Sequence, residues 1–307
     1  MKKKLTHNSS GQILVIFLLI MIVGLTLGLY LLSRTTTDIS LTTRLSDSTR
    51  AFNAAEAGIE EAIRSTIGLA EGSPVPIASG VTYTVATTDL GNTDIYPPVR
   101  ATAIPVGDVF TVWLVRHDDI TGQIIDDPTN PNYYNYTAAG GANGQYLHLC
   151  FTSASPTPAI AVTAYWKQGT NYYSSYTGYD PNSTRNNSNF FRDTQGSLGS
   201  CPSGTSGYNY RAQVDFGTPS GNSSHFGGLS LRAGGRIPIV LLVRPVYAAT
   251  SLAAVPQNGV NFPLPKQGES IQSIGNVGQI TRKITVNEPY IVPVPFLDHA
   301  LYSTGTN

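Results

Sequence analysis

Gln12–Leu32 reads QILVIFLLIMIVGLTLGLYLL, a run without charge in which only Gln12 and Thr26 depart from apolar residues, glycine and Tyr30. As a helix rising 1.5 Å per residue it spans about 30 Å, the thickness of a bilayer's hydrocarbon core. Most of its residues are Leu, Ile, Val or Phe, each favouring insertion by a few tenths of a kcal/mol. The expected element is a transmembrane helix over 12–32. Lys2, Lys3 and Lys4 stand in front of it. Positive charge at that end is retained on the cytoplasmic side, so everything after Leu32 is expected outside.

Upstream, residues 1–11 read MKKKLTHNSSG. Three readings compete for this N-terminus. A secretory signal peptide has an apolar core of about 7–15 residues followed by a small-x-small cleavage site. This run is longer and leaves through Leu31-Leu32-Ser33-Arg34. An uncleaved anchor accounts for the apolar run alone. The order of basic leader, Gly11 and apolar stretch resembles the layout of a prepilin, which implies a cut on the cytoplasmic side between Gly11 and Gln12.

Downstream, the helical pattern continues. From Arg34 to Ile67 there is no proline, and Gly58 is the only glycine. Leu41, Leu45, Phe52, Ile59, Ile63 and Ile67 recur at intervals of four and seven, which aligns them on one helix face. That stripe is the expected packing face. Ala51, Ala54, Ala55, Gly58 and Ala62 form a second face of small side chains, where another backbone can approach closely. Gly68 and then Gly72-Ser73-Pro74 end the element. One helix over 12–68, about 80 Å long, is expected.

Arg50-Ala51-Phe52-Asn53-Ala54-Ala55-Glu56-Ala57-Gly58-Ile59-Glu60, placed after this span and after Ser33-Arg34-Thr35-Thr36-Thr37, closely resembles the N-terminal region of PilX-type minor pilins, in the type IV pilin-like (pseudopilin) family. The resemblance covers about the first 65 residues. Pro265-Lys266-Gln267-Gly268 through Arg282-Lys283-Ile284-Thr285-Val286 also resembles the endings of such proteins. What it implies is a filament subunit processed by a prepilin peptidase at Gly11–Gln12. Its partners would be other pilin subunits, met through the helix, and the lipid membrane. One departure matters. Major pilins resemble one another in a glutamate at the fifth mature position, and here that position is Ile16. In the family picture this carboxylate pairs with a neighbour's amino terminus inside the apolar filament core, where an unpaired charge costs several kcal/mol. PilX-like chains share its absence, which implies an initiating or tip position. The alternative is a monomeric single-pass surface-binding protein outside any filament.

After Gly72 the pattern changes to period two. Val81–Thr87, Val109–Arg116, Gln145–Thr152, Ala159–Lys167, Tyr208–Phe216 and Ile237–Val246 read as strands. Ser270–Val286 reads as a hairpin with Gly275-Asn276-Val277-Gly278 as its turn. The fold class expected is α+β, a long helix packed on an antiparallel β-rich, pilin-like head over 73–307. Two stretches read as loop insertions, near 120–143 and 168–207. The second interleaves Tyr172, Tyr173, Tyr176, Tyr179, Phe190 and Phe191 with Asn, Ser and Gly, the composition of adaptable binding loops. An adhesive loop and an exposed loop whose aromatics pack on the sheet both fit. The proline-rich tail Pro289–Phe296 is expected to run extended along the surface.

The net charge is zero and only 12% of residues are charged, so nothing attracts nucleic acid. Cys150 and Cys201 are the only cysteines. A disulfide between them and two separate buried thiols both remain open. His7, His117, His148, His225 and His299 are scattered, outside any zinc or hydrolase motif. Asp118-Asp119 and Asp126-Asp127 lack the spacing of a calcium loop. No cofactor and no enzymatic activity are expected.

Overall fold

The computed structural model describes residues 10–64, 72–91, 95–97, 102–119, 121–139, 146–185, 191–193, 201, 207–217, 226, 230–257 and 261–290. The chain opens with helix α1 (Ser10–Arg64). Strands follow as β1 (Val75–Ala78), β2 (Val81–Gly91) and β3 (Phe110–Trp113), then the single-turn helix α2 (Tyr136–Ala139). The remaining strands are β4 (Tyr146–Phe151), β5 (Ala159–Gln168), β6 (Asn171–Asp180), β7 (Arg192–Asp193), β8 (Tyr210–Asp215), β9 (Arg236–Val246), β10 (Leu252–Pro256), β11 (Lys266–Val277) and β12 (Ile280–Pro289). They form sheets of order β1-β2-β11-β12, β10-β4-β8 and β3-β9-β5-β6-β7. The recorded pairings are antiparallel except for the short β6–β7 pair. A long apolar helix followed by antiparallel sheets makes this an α+β chain. The end expected at residues 67–68 lies outside the described residues, as do leader residues 1–9 and the tail from 291.

Contacts divide the chain into two compact units, residues 1–86 with 272–285 and residues 87–271 with 286–307. In the first, α1 buries Ala51, Ala54, Ala55, Gly58 and Ile59. The spacing i, i+3, i+4, i+7, i+8 is a core-facing helix stripe. Ala51 and Ala54 pack with Val81, Val277 and Ile280. A Cβ at Gly58 would meet Ser273 Oγ and lie 2.8 Å from the Tyr83 ring. One at Gly275 would overlap the Ala51 carbonyl oxygen and stand 2.7 Å from the Ala55 nitrogen. Helix and strand backbones therefore approach closely here, and only small residues fit between them. Arg282 adds a tie, donating from Nε and Nη2 to Ser48 Oγ at 2.9 and 2.6 Å.

This corrects the expected packing face. Leu41 is 54% exposed, Leu45 69%, Phe52 45% and Ile63 52%, whereas Ile59 alone of those five is buried, at 8%. Bulky leucines would hold the sheet away, so the sheet takes the alanine–glycine face instead. The hairpin turn is corrected for the same reason. Gly275, Asn276 and Val277 belong to β11, and the chain turns at Gly278–Gln279. Gly278 has φ +56° and no close neighbour, the conformation a two-residue hairpin loop asks of its first residue. Gly275 serves helix packing.

In the second unit, Phe110, Val112 and Leu114 join Ile160, Val162, Ala164, Leu241 and Val243 in one apolar cluster with Leu147, Leu149, Phe151, Ala212, Val214, Leu252 and Ala254. Alternate residues of the five-stranded and three-stranded sheets thus share a sandwich core. Each fully buried Leu, Val, Ile or Phe contributes roughly 1.5–3 kcal/mol. In the stretch near 120–143, residues 121–135 belong to no named strand or helix, in keeping with a loop, and Tyr136 at the start of α2 joins this core. Tyr136 is fully buried, donates from Oη to the Tyr146 carbonyl and accepts from Gln257 N at 3.0 Å. Within 168–207 the reading as a loop is corrected for residues 171–180. Residues 171–180 pair with 159–168 from Asn171↔Gln168 to Tyr179↔Ile160. Tyrosine favours a pleated, half-buried surface, and its β preference outweighs the loop-like Ser and Asn around it.

Candidate functional site

The candidate site is α1 itself and the surfaces that the second unit presents. Leu14 to Leu32 is exposed along its whole length, and α1 is the one described helix long and apolar enough to cross a membrane. Its only hydroxyls in that stretch are self-satisfied or terminal. Thr26 Oγ1 donates back to the Ile22 and Val23 carbonyls at 3.0 and 2.9 Å, and Tyr30 stands near the far end of the span. Thr35, Thr36 and Thr37 repeat the back-bonding onto Leu31, Leu32 and Ser33. A hydroxyl bonded to its own helix needs no water, which suits a lipid surround. No acidic residue precedes Asp38, and Ile16 lies bare on the span. The helix backbone runs unbroken through Gly11 and Gln12. Beyond the span, Ile39, Leu41, Leu45, Phe52 and Ile63 lie exposed on the lower half of α1.

The two cysteines are joined in the second unit. Cys150 Sγ lies 1.99 Å from Cys201 Sγ, with Cα atoms 6.0 Å apart. The bridge is buried with Tyr208, Ala253 and Val255. His148, two residues before Cys150 on β4, therefore has no thiol to activate. Its imidazole is held down to about 4 by burial and then by the Arg211 charge.

The β5–β6 hairpin carries the aromatic surface. Trp166 and Tyr173 stack with centroids 4.5 Å apart, and the Arg236 guanidinium lies 5.3 Å over the Trp166 ring. On the opposite face Tyr172 Oη donates to Asp126 Oδ2 at 2.7 Å, and Lys167 Nζ lies 2.9 Å from Asp126 Oδ1. The tyrosines were legible in sequence. The Trp166–Tyr173 stack was not, because it depends on the Trp166↔Tyr173 register.

A second cluster surrounds Lys266, whose Nζ lies 2.7 Å from Glu269, 3.0 Å from Asp89 and 3.7 Å from Asp119. Burial alone would lower the affinity of this ammonium for its proton. The hydrogen bonds to Glu269 and Asp89 overcome that and raise its pKa above the ordinary lysine range. A pocket of about 230 Å³ opens beside it, lined in part by Arg116 and Tyr134. Its charges are already paired, Arg116 with Asp119 at 3.1 Å and Lys266 with the three carboxylates. Asp126 is committed to Lys167, and Asp118 accepts from Thr121 N at 2.7 Å. Among the described residues no three His, Cys, Asp or Glu side chains converge as a metal site.

His117 is buried at 2% exposure, stacked 3.9 Å from Tyr290 and edge-on to Trp113 at 4.4 Å. Burial lowers it to about 4. Between pH 4 and 6.5 the unfolded chain binds more protons at His117 and His148 than the folded chain does, so stability rises with pH across that window. Each imidazole contributes at most about 3 kcal/mol, present above pH 6.5 and lost as the pH falls toward 4. Urea unfolding of the full chain in detergent at pH 4.5 and 7 is expected to show a lower midpoint at pH 4.5. In His117→Gln that difference should shrink, and an equal difference in both proteins would contradict the assignment.

No family model, curated protein or solved structure matches this chain.

Proposed function

We propose that this chain is a minor pilin or pseudopilin that helps assemble a type IV pilus or related filament, from an initiating or tip position. The observation that supports this reading is one unbroken helix, Ser10–Arg64, whose first half is bare and apolar and whose second half seats on a sheet through Ala51, Ala54, Ala55 and Gly58. The role is mechanical and not enzymatic. The span anchors in the cytoplasmic membrane with its N-terminus inside, and the β-rich remainder faces outward. Prepilin peptidase cuts between Gly11 and Gln12, after which the helix can leave the bilayer and bundle with other pilin helices. The exposed stripe of Leu41, Leu45, Phe52 and Ile63 extends the apolar surface available to those neighbours. Ile16 provides no carboxylate for a neighbouring amine, so nothing fixes a subunit above this one. The β5–β6 tyrosines supply an outward surface suited to adhesion.

Mass spectrometry of the N-terminus tests the reading, with the full chain expressed in cells that carry a prepilin peptidase. The expected mature chain starts at Gln12, and Gly11→Leu should leave it starting at Met1. A wild-type chain that still starts at Met1 beside a processed control pilin would favour the simple membrane anchor.

A further inference from the structure

Besides Asn8-Ser9-Ser10 ahead of the apolar run, Asn-x-Ser/Thr triplets occur at Asn135-Tyr136-Thr137, Asn182-Ser183-Thr184, Asn186-Asn187-Ser188 and Asn222-Ser223-Ser224. Such a triplet is an acceptor for asparagine-linked glycans only where the amide can be reached. The last two lie outside the described residues. The first two share one local geometry and differ in access, which makes the comparison informative.

At Asn135 the side chain is 2% exposed. Its Oδ1 accepts from Thr137 N and Thr137 Oγ1 at 2.9 and 2.6 Å, and its Nδ2 donates to the Pro238 carbonyl at 2.8 Å. Both ends of the amide are used and enclosed. At Asn182 the Oδ1 likewise accepts from Thr184 N and Arg185 N, each at 3.1 Å. Its Nδ2, by contrast, donates to nothing among the described residues, and Ser183 and Thr184 beside it are exposed. The turn is held from beneath. The Asp180 carboxylate, fully buried, accepts from Arg185 Nε at 3.0 Å and Nη2 at 2.8 Å, and Arg185 Nη2 also donates to the Thr157 carbonyl at 2.7 Å. The Arg185 guanidinium lies 4.2 Å over the Tyr247 ring. This clamp holds the triplet at the end of β6, with Asn182 partly exposed and its amide nitrogen without a partner among the described residues.

We propose that Asn182 is a glycan acceptor. The co-reactant is an oligosaccharide linked through pyrophosphate to a lipid, supplied at the outer membrane face by an oligosaccharyltransferase. Asn182 Nδ2 attacks C1 of the sugar bonded to the pyrophosphate. The N–C1 bond forms, the C1–O bond to phosphate breaks, the lipid pyrophosphate leaves with the electron pair, and the amide releases one proton. In the cell this rests on the outward placement proposed for the β-rich part, because the donor is found on that side.

The test is made in detergent, so membrane orientation does not enter the readout. Full-length folded chain is incubated with a purified oligosaccharyltransferase and its lipid-linked oligosaccharide, beside a control acceptor peptide. Tryptic residues 168–185 contain Asn182 as their only triplet, since Lys167 and Arg185 bound them. This peptide is expected to gain the mass of one glycan. Asn182→Gln and Thr184→Ala should abolish the gain, and Thr184→Ser should retain it at a reduced yield. Asn135 should stay unmodified until the chain is reduced and denatured. An unmodified 168–185 peptide beside a modified control would overturn the proposal, as would modification of Asn135 ahead of Asn182 in the folded chain.

Discussion

Gly275→Val is expected to detach α1 from the sheet of the first compact unit. The added side chain would meet the Ala51 carbonyl and the Ala55 amide, which are helix backbone atoms and cannot rotate away. Overpacking against a yielding side chain costs about 1–3 kcal/mol, and a rigid backbone places this substitution at or above that upper end. Hydrogen exchange at the amides of residues 51–59 reads the effect directly. A 3 kcal/mol loss of local stability corresponds to an acceleration of about 150-fold. Gly278→Asn is the matched control. It is the same residue type three positions on, with φ +56° and no neighbour within 4 Å. Asparagine tolerates that conformation, so exchange over 51–59 should scarcely change. Equal protection in Gly275→Val and the wild type would refute the close backbone approach.

Removing the disulfide is expected to have the largest effect in the second unit. Cys150 and Cys201 are 51 residues apart, and closing such a loop restricts the unfolded chain by about 4 kcal/mol in the chain-entropy model. The bridge ties Cys201 into a buried cluster on the β10-β4-β8 sheet, so the lost constraint is accompanied by a packing defect. Paired Cys150→Ala and Cys201→Ala substitutions should lower the urea midpoint markedly. Reductant should lower the wild-type midpoint toward that of the variant and leave the variant unchanged. A wild-type midpoint insensitive to reductant would show that the bridge adds nothing to stability.

Both predictions concern places where reading the chain alone went only part of the way. The small-residue face at Ala51, Ala54, Ala55 and Gly58 was visible as a helical spacing, and so was the bulkier stripe from Leu41 to Ile63. Apolar periodicity favoured the stripe as the packing face. It does not register the Gly275 notch, which comes from residues more than 200 positions away and decides in favour of the smaller face. The tyrosines of 171–180 were likewise visible, but their Ser and Asn neighbours resembled loop composition. Only pairing with β5 makes them a strand. The strands β1 and β10 are too short and too rich in alanine or proline to show an alternation.

The sequence by itself determined the helix and its apolar, membrane-length first half, because a charge-free apolar run and a 3.6-residue period act over one turn at a time. It also determined most strand positions, through period-two alternation. Only the tertiary structure decided which face of α1 the sheet covers, that Cys150 reaches Cys201, and that the Asn135 amide is bonded at both ends while the Asn182 nitrogen has no partner among the described residues. Each of these depends on distances between residues far apart in the chain. Such distances are set by the packing of whole sheets, which no local pattern encodes.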